Sequence, residues 1–293
     1  MNKIDLHIHT NKSLDADFSP TQIIEMGKQA GLETMAVADH DTVVGVKEAI
    51  QAGKENGIKV IPAIEISCVY KDVNLHILGY GVDIDNPKYN QLFENVMAQE
   101  RAGSKERLQL IKDMGIYVNM EKLEPLIDDG VIIGEIIGEA SINEPENKDN
   151  PLIKPFLEGG SLSGNPYVNF YWEYCAQNKP AYVHIEFPQL EDIIKLIKAD
   201  NALAIFAHPG NNIRENEELL YAIMNKGLDG LEAYSSYHTQ QQIDFYTKHG
   251  EENNWLITCG SDFHGKNKPK IKLGDINIDK KHEDILIKRM LTV

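Results

Sequence analysis

Cysteine is scarce in this chain, which has Cys68, Cys175 and Cys259 among 293 residues. No two of them form a CxxC pair, so the sequence gives no sign of a thiolate zinc site or a dithiol redox motif. The chain also lacks a run of eighteen apolar residues and the apolar core of a signal peptide. We therefore expect a cytoplasmic protein that has no membrane partner.

Positive charge is also in short supply. Lys and Arg together number 29, against 45 Asp and Glu, which gives a formal net charge of -16. A broad basic surface for nucleic acid is not expected, because a surface of this charge repels polyanions. Small phosphorylated substrates remain compatible with it, since divalent ions in a pocket dominate the local field. Nucleic acid is expected at most as a short oligonucleotide.

Short apolar runs alternate with amphipathic stretches towards both ends of the chain. Strands are predicted over 4–6, 34–38, 59–64, 203–206, 229–233 and 256–258, and helices over 20–30, 43–56, 189–199, 215–226 and 239–253. A further apolar stretch covers 73–80. Repeated strand and helix units predict an α/β fold with a parallel sheet or barrel.

The middle of the chain has a different character. Residues 86–114 are predicted to form a long helix, and 115–180 are richer in Gly, Asn and Pro. We interpret 99–180 as an inserted, mainly helical subdomain, and 1–98 together with 181–293 as a barrel domain. Such an insertion commonly lies over the mouth of a barrel, where the loops build the site.

Histidines and acids gather at or near the ends of the predicted strands. His7 and His9 are two positions apart, so on a strand they point to the same side. Alone, each such residue is as well explained by a local hydrogen bond or a helix cap. The whole set is His7, His9, Asp15, His40, Glu65, His76, His208, Asp262 and His264. Nitrogen and oxygen donors suit Mn, Zn or Fe, and nine of them predict two or three divalent ions.

Four segments resemble the motifs of the PHP (polymerase and histidinol phosphatase) family: DLHIHT (5–10), ADHDT (38–42), AHPG (207–210) and GSDFHG (260–265). The resemblance implies a distorted (β/α)7 barrel. It also implies three metal positions, held by His7, His9, Glu65 and Asp262, by Glu65, His76 and His208, and by Asp15, His40 and His264.

The resemblance further implies a phosphoesterase whose hydroxide, held between two ions, attacks phosphorus. We expect a phosphomonoester or cyclic phosphodiester of a small metabolite, such as a nucleoside bisphosphate or a ribose cyclic phosphate. The alternatives are a 5′-to-3′ exonuclease on short oligonucleotides, a histidinol-phosphate-type phosphatase, or a non-catalytic metal-binding module. Where many nucleotide-cleaving relatives have Gly-Arg-Pro-His, residues 164–167 read Gly-Asn-Pro-Tyr, which weakens the transfer of a nucleotide substrate.

Three acids next to the proposed ligands, Asp5, Asp39 and Asp41, are expected to orient the imidazoles from behind. For Asp41, a role as a helix N-cap is an equal alternative. His184, at the end of a strand predicted over 181–183, and Arg214 are candidates for binding the substrate phosphate, although either could be an ordinary surface residue.

Other side chains are given weaker roles or none. Lys179 and Arg101 are further candidate cations. Aromatic residues between Tyr167 and Tyr174 are expected to pack a helix over 166–175 against the barrel, with stacking of a base as the alternative. His238, His249 and His282 are given no role.

Overall fold

Seven strands form one sheet in chain order in the computed structural model, which describes residues 3–293. The strands are β1 (Ile4–Ile8), β2 (Thr34–Val37), β3 (Lys59–Tyr70), β4 (Val73–Tyr80), β5 (Leu203–Phe206), β6 (Gly230–Ser235) and β7 (Leu256–Gly260). The amide of His9 donates to the carbonyl of Phe263 at 3.0 Å, and the amide of Asp262 donates to the carbonyl of His7 at 2.8 Å. These bonds join β1 to the segment after β7. The predicted α/β barrel is confirmed, with its ring of strands nearly closed.

One strand runs against the others. β1, β2 and β3 are parallel, as are β5, β6 and β7, whereas β4 is antiparallel to both β3 and β5. The parallel arrangement predicted from the repeated strand and helix units therefore does not extend to β4. A two-residue turn at 71–72, with Lys71 at φ 54°, links β3 directly to β4. Such a short connection can only join antiparallel strands.

The helices carry the start and stop signals that were read from the sequence. They are α1 (Pro20–Gln29), α2 (Val46–Asn56), α3 (Pro87–Asp113), α4 (Met120–Leu123), α5 (Gly134–Glu139), α6 (Pro166–Phe170), α7 (Leu190–Ala199), α8 (Pro209–Asn212), α9 (Glu217–Met224), α10 (Gln240–Asn253) and α11 (Lys280–Met290). Ser19 and Gln22 form a capping box at α1, where Pro20 is the first helical residue. α2 ends at Gly57, whose φ of 72° suits glycine.

α3 spans the barrel from one end to the other. Near its start, the hydroxyl of Tyr89 donates to Asp200 at 2.7 Å, and Asp200 lies just before β5 begins. Farther along, Arg107 lines the cavity at the opposite end of the barrel. A helix of 27 residues is ~40 Å long, which is enough for this path.

The end of α3 and the region after it contain a separate group of buried apolar side chains. These are Ile111, Ile116, Val118, Leu123, Ile132, Ile136, Ile137, Ala140, Ile142, Ile153, Phe156, Phe170, Tyr174, Cys175 and Ala181. They are separate from the barrel core, which is built from the strands and from α7, α9 and α11. The division into 1–98 with 181–293 and an insert over 99–180 stays a prediction.

Two sequence predictions differ from the structure in this region. The strand predicted over 181–183 is wrong, because Ala181 packs into the core of the insert and the following residues have no regular structure. The helix predicted over 166–175 is α helical to Phe170 and then forms one π turn, Tyr171–Cys175. Within residues 3–293, no helix combines the length and the apolar character needed to cross a membrane.

Candidate metal centre and its cavity

Glu65 is the hub of a buried cluster at one end of the barrel. Its oxygens lie within 3.0–3.2 Å of ring nitrogens of His7, His9, His40, His76 and His208. A second carboxylate, that of Asp262, is 3.1 Å from Nε2 of His9 and 3.5 Å from Nε2 of His7. Asp15 lies 3.2 Å from Nε2 of His264. The structure thus brings together all nine side chains of the predicted set.

The strands explain how these side chains meet. Most of them follow parallel strands, whose carboxyl ends share one side of the barrel. His7, Glu65 and His76 instead come from within strands. β3 and β4 pair antiparallel, and His76 lies opposite Ser67. His208 and Asp262 have φ of 23° and 54°. Such backbone conformations are costly for residues other than glycine and concentrate at functional sites.

Buried polar atoms without hydrogen bonds mark the centre of the cluster. They include Nε2 of His7, His9 and His264, Oε2 of Glu65, Oδ1 of Asp15 and of Asp262, and Nδ1 of His208. Burying polar atoms unpaired is expensive, so natural proteins rarely leave several together. A divalent cation accepts electron pairs from both nitrogen and oxygen donors, so the residues present fit a metal centre.

In each of three groups of side chains, the donor atoms all lie within 4.8 Å of one another. The groups are His7, His9, Glu65 and Asp262; His40, Glu65 and His76; and His9, His40 and His264. The first group contains the four residues that the family resemblance implies for one metal. Of the residues implied for the other two positions, His208 shares one oxygen of Glu65 with His76. That these side chains bind metal ions stays a prediction.

Opposite charges within the cluster shift the pKa values of its members. Burial lowers the pKa of His9, but its contacts with Asp262 and Glu65 outweigh burial and raise the pKa to about 9. Burial raises the pKa of Asp262, and the nearby Lys268 and His7 reverse this and hold it well below the usual range. Positive charge therefore stabilises the ionised carboxylate of Asp262, a role that metal cations can also take.

A relay behind His9 fixes the orientation of its ring. Nδ1 of His9 is 3.0 Å from Oγ of Ser13, whose hydroxyl donates to Asp39 at 3.0 Å. Since the hydroxyl proton is used on Asp39, the serine oxygen can accept from Nδ1, which leaves Nε2 directed at the cluster. Asp39 therefore helps to orient the imidazole of His9, but it acts through Ser13, whereas the prediction was a direct contact.

The direct partner of His7 is a residue that the sequence reading missed. Oε1 of Glu232, in the middle of β6, is 3.1 Å from Nδ1 of His7, and its Oε2 accepts from the amide of His208 at 2.9 Å. Glu232 is fully buried. A charged residue inside an otherwise apolar strand was the available signal, because such a group is rarely buried without a partner.

Asp5 and Asp41 hold backbone in place, so the prediction that they orient an imidazole is wrong. Asp5 accepts from the amides of Ser261 and Gly274, each at 2.9 Å. Asp41 accepts from the amide and the hydroxyl of Ser67, at 2.8 and 3.0 Å. The alternative of Asp41 as a helix N-cap is also wrong, because α2 begins at Val46.

A cavity of about 430 Å³ opens above the cluster. Asp15, His40, His76, His208 and Asp262 line its barrel end. The insert supplies the opposite wall, which includes Arg107, Glu135, Val168, Tyr171 and Trp172. The cavity therefore offers a polar, metal-ligating end and a wall of mixed character, as expected of a small-molecule site.

Lys268 is the cation that the cavity places beside the cluster. Its Nζ is 2.8 Å from Oδ2 of Asp262 and 4.9 Å from the ring centre of Tyr237, and the side chain is buried. Sequence reasoning missed it because Lys266, Lys268, Lys270 and Lys272 look like a solvated basic run.

The predicted phosphate contacts lie elsewhere. His184 and Arg214 are exposed, and neither lines the cavity. His184 is on the irregular segment after Ala181, and Arg214 follows α8 with its side chain towards solvent. Of the two weaker candidates, Lys179 does line the cavity, 3.5 Å from Glu173, whereas Arg101 pairs with the exposed Asp129.

The aromatic residues of the insert divide into two groups. Phe170 and Tyr174 pack against Phe156 in the core of the insert, and not against the barrel core as predicted. Tyr171 and Trp172 line the cavity, and Trp172 is 46% exposed. None of residues 164–167 lines the cavity, although the next residue, Val168, does. Gly134 and Glu135 also line it.

Comparison with known proteins gives matches along nearly the whole chain. A 5′-3′ exoribonuclease of Haemophilus influenzae is 28% identical over 89% of this chain and 90% of its own length. A phosphoribosyl 1,2-cyclic phosphate 1,2-diphosphodiesterase of Eggerthella lenta is 27% identical, covering 89% and 94%. A 3′,5′-nucleoside bisphosphate phosphatase of Chromobacterium violaceum is 25% identical, covering 90% and 88%.

Solved structures agree on the fold. An amidohydrolase from Chromobacterium violaceum, solved with bound sulfate and no metal, superposes with a TM-score of 0.81 at 21% identity, over 99% of this chain and 96% of that one. A proposed metal-dependent phosphoesterase from Bifidobacterium adolescentis gives 0.75 at 24% identity, over 99% and 95%. The PHP domain family matches residues 5–265. The chain therefore belongs to the PHP domain family.

Proposed function

We propose that the cavity binds a small phosphorylated metabolite, a phosphomonoester or a cyclic phosphodiester, and that the chain hydrolyses it. The observation that carries this proposal is the convergence of buried, unbonded nitrogen and oxygen atoms around Glu65 at the end of a 430 Å³ cavity. A cavity of that volume suits a small molecule.

The reaction class is hydrolysis of phosphate ester bonds. The relatives from three species differ in their named substrates, yet each acts on such a bond and aligns with about nine-tenths of this chain. The enzyme is a metal-dependent phosphoesterase, with a cluster of His, Glu and Asp side chains that can bind metal ions.

We propose two or three divalent ions, Mn, Zn or Fe, on the ligand groups described above. His7, His9, Glu65 and Asp262 would hold one ion, with His40, His76, His208, Asp15 and His264 completing the others. When bound, such ions polarise a phosphoryl oxygen and lower the pKa of water. Glu232 and the Ser13–Asp39 relay keep His7 and His9 in the orientation that binding requires.

Lys268 is proposed to bind the substrate phosphate. Its ammonium group is buried, lines the cavity and stands next to the cluster, held there by Asp262 and the face of Tyr237. A cation in that position neutralises charge on a phosphoryl group in a site of low dielectric, where the effect is strongest. It takes the role first assigned to His184 and Arg214.

An exonuclease acting on short oligonucleotides is the second candidate, favoured by the match to the Haemophilus enzyme. A strand longer than a few nucleotides needs a cationic path away from the cavity. Of the described basic side chains that line the cavity, Arg107, Lys179 and Lys268 are paired with acids, which leaves Lys12 as a single cation and not as a path. The small-metabolite reading therefore has the stronger support.

The proposal is tested by measuring phosphate release from nucleoside bisphosphates, a ribose cyclic phosphate, histidinol phosphate and short RNA, with and without Mn, Zn or Fe. Metal-dependent release from a small ester, with little from RNA, is expected. Release that persists after complete removal of metal would contradict the metal centre.

The role of Lys268 is tested with Lys268→Met, and Lys266→Met is the matched control two residues away. Loss of one preorganised charge contact is expected to lower kcat/KM ~100-fold or more. Lys266 lies outside the cavity and pairs with Glu139 at 2.9 Å, so its variant should keep near-normal turnover. Equal turnover in both variants would remove Lys268 from the phosphate site.

A further inference from the structure

One acid in the wall of the insert forms no ion pair within the described part of the chain. Glu135, the second residue of α5, is 6% exposed and lines the cavity. Its own backbone amide is the hydrogen-bond donor near its carboxylate, and within residues 3–293 no Lys, Arg or His forms an ion pair with it. A buried carboxylate of this kind is costly unless something binds it.

The nearby cation is already engaged. Arg107 donates from Nη1 to the carbonyl of Ile132 at 2.7 Å, and its Nη2 lies 2.8 Å from Glu100. Arg107 is therefore paired with Glu100 and forms no ion pair with Glu135. Burial, followed by the negative charge of Asp15, raises the pKa of Glu135 to about 8. A cation bound beside the carboxylate would favour its ionised form.

We propose that Glu135 determines specificity by binding a hydrogen-bond-donating group of the substrate, most strongly an ammonium, where the substrate meets the insert wall of the cavity. A second phosphate at that wall is disfavoured, because it would face a carboxylate whose neighbour Arg107 is already paired with Glu100. This inference rests on the proposed function, since the phosphate must occupy the metal end for the rest of the substrate to reach Glu135. The substrate class is thus a monophosphate that carries an amino or hydroxyl group.

The experiment compares three probes of equal length: 6-aminohexyl phosphate, 6-hydroxyhexyl phosphate and hexane-1,6-diyl bisphosphate. Their binding to the manganese-loaded protein is measured by calorimetry at pH 8, and the phosphate released during each titration is measured in parallel so that the heat of hydrolysis is separated from the heat of binding. The wild type is expected to bind the amino compound about tenfold more tightly than the hydroxyl compound, and the bisphosphate least well.

Glu135→Gln keeps the shape of the side chain and removes its charge. This variant is expected to lose the preference for the amino compound and to bind the bisphosphate more tightly than the wild type does. Glu139→Gln is the matched control, because Glu139 lies one turn later on α5, pairs with Lys266 and does not line the cavity. It should keep the wild-type order of affinities.

Two results would overturn the inference alone: tightest binding of the bisphosphate by the wild type, or an unchanged order of affinities in Glu135→Gln. Failure of the proposed function looks different. In that case none of the three esters binds to any of the proteins, and the same samples release no phosphate from p-nitrophenyl phosphate. That result would overturn both proposals.

Discussion

At the scale of single residues, Gly260 shows how tightly the centre of the site is packed. A Cβ at this position would lie 2.1 Å from Cβ of His7 and 2.3 Å from Oε1 of Glu232. Both atoms belong to the hydrogen-bonded pair of His7 and Glu232, and neither side chain can move without disturbing the other. No residue with a side chain fits at the end of β7.

We therefore predict that Gly260→Ala lowers phosphate release at least ~100-fold and destabilises the fold by about 1–3 kcal/mol, because overpacking displaces buried groups. The measurements are phosphate release, bound metal and thermal unfolding. Gly57→Ala is the control: a Cβ there meets nothing within 4 Å, but φ is 72°. It should lose stability while keeping its metal content and activity. Full activity in Gly260→Ala would contradict the packing argument.

Most of the metal-ligand candidates could be read from the sequence because they stand in short motifs of unusual composition, such as HIH at 7–9 or DFH at 262–264. Glu232 and Lys268 could not be found in this way. Glu232 is a single acid in an apolar strand, and Lys268 is one lysine among several. Their importance depends on which strands and loops become neighbours, which local spacing does not encode.

At the scale of elements, α3 and α5 are joined through Arg107. It links Glu100 on α3 to the carbonyl of Ile132, just before α5 begins. We predict that Arg107→Met destabilises the protein by about 3–5 kcal/mol, because it leaves Glu100 with a buried, unpaired charge. Denaturant unfolding measures this loss.

Arg101→Met serves as the comparison for that prediction. Arg101 lies on the same helix and pairs with Asp129, which is largely exposed. Exposed pairs contribute ~0–1 kcal/mol, so this variant should unfold almost like the wild type. Similar losses of unfolding free energy in the two variants would show that the Arg107–Glu100 pair stabilises the protein no more than an exposed ion pair does.

Element boundaries were predictable where a cap marks them. Ser19 with Gln22 and Gly57 carry local signals, and α1 and α2 begin or end at them. The direction of β4 was not predictable in the same way, because its apolar pattern is compatible with a strand of either sense. The false strand over 181–183 has a similar cause: Ala181 is buried in the insert, and burial alone does not specify strand pairing.

At the scale of the whole molecule, the cluster connects distant parts of the chain, from His7 to His264. Metal binding to the native state, but not to the separated ligands of the unfolded chain, stabilises the fold by about 2.7 kcal/mol at a hundredfold excess over Kd. We predict that a chelator lowers Tm by roughly 5–10 °C and that added Mn or Zn restores it.

The matched variant for that measurement is Asp262→Asn, which keeps the size of a proposed ligand and removes its charge. Its Tm should respond much less to chelator than that of the wild type. Scanning calorimetry or circular dichroism gives the values. An equal response in both proteins would place the bound metal outside the cluster around Glu65.

The reversed direction of β4 has a consequence for the size of the substrate. Because β4 returns the chain to the far end of the barrel, α3 must carry it back before the insert can cover the cavity. The number of turns in α3 therefore sets how far Glu100 and Arg107 stand from Glu65, and with it the length of molecule that fits between them. Relatives with a longer or shorter helix at this position should accept esters of correspondingly different reach.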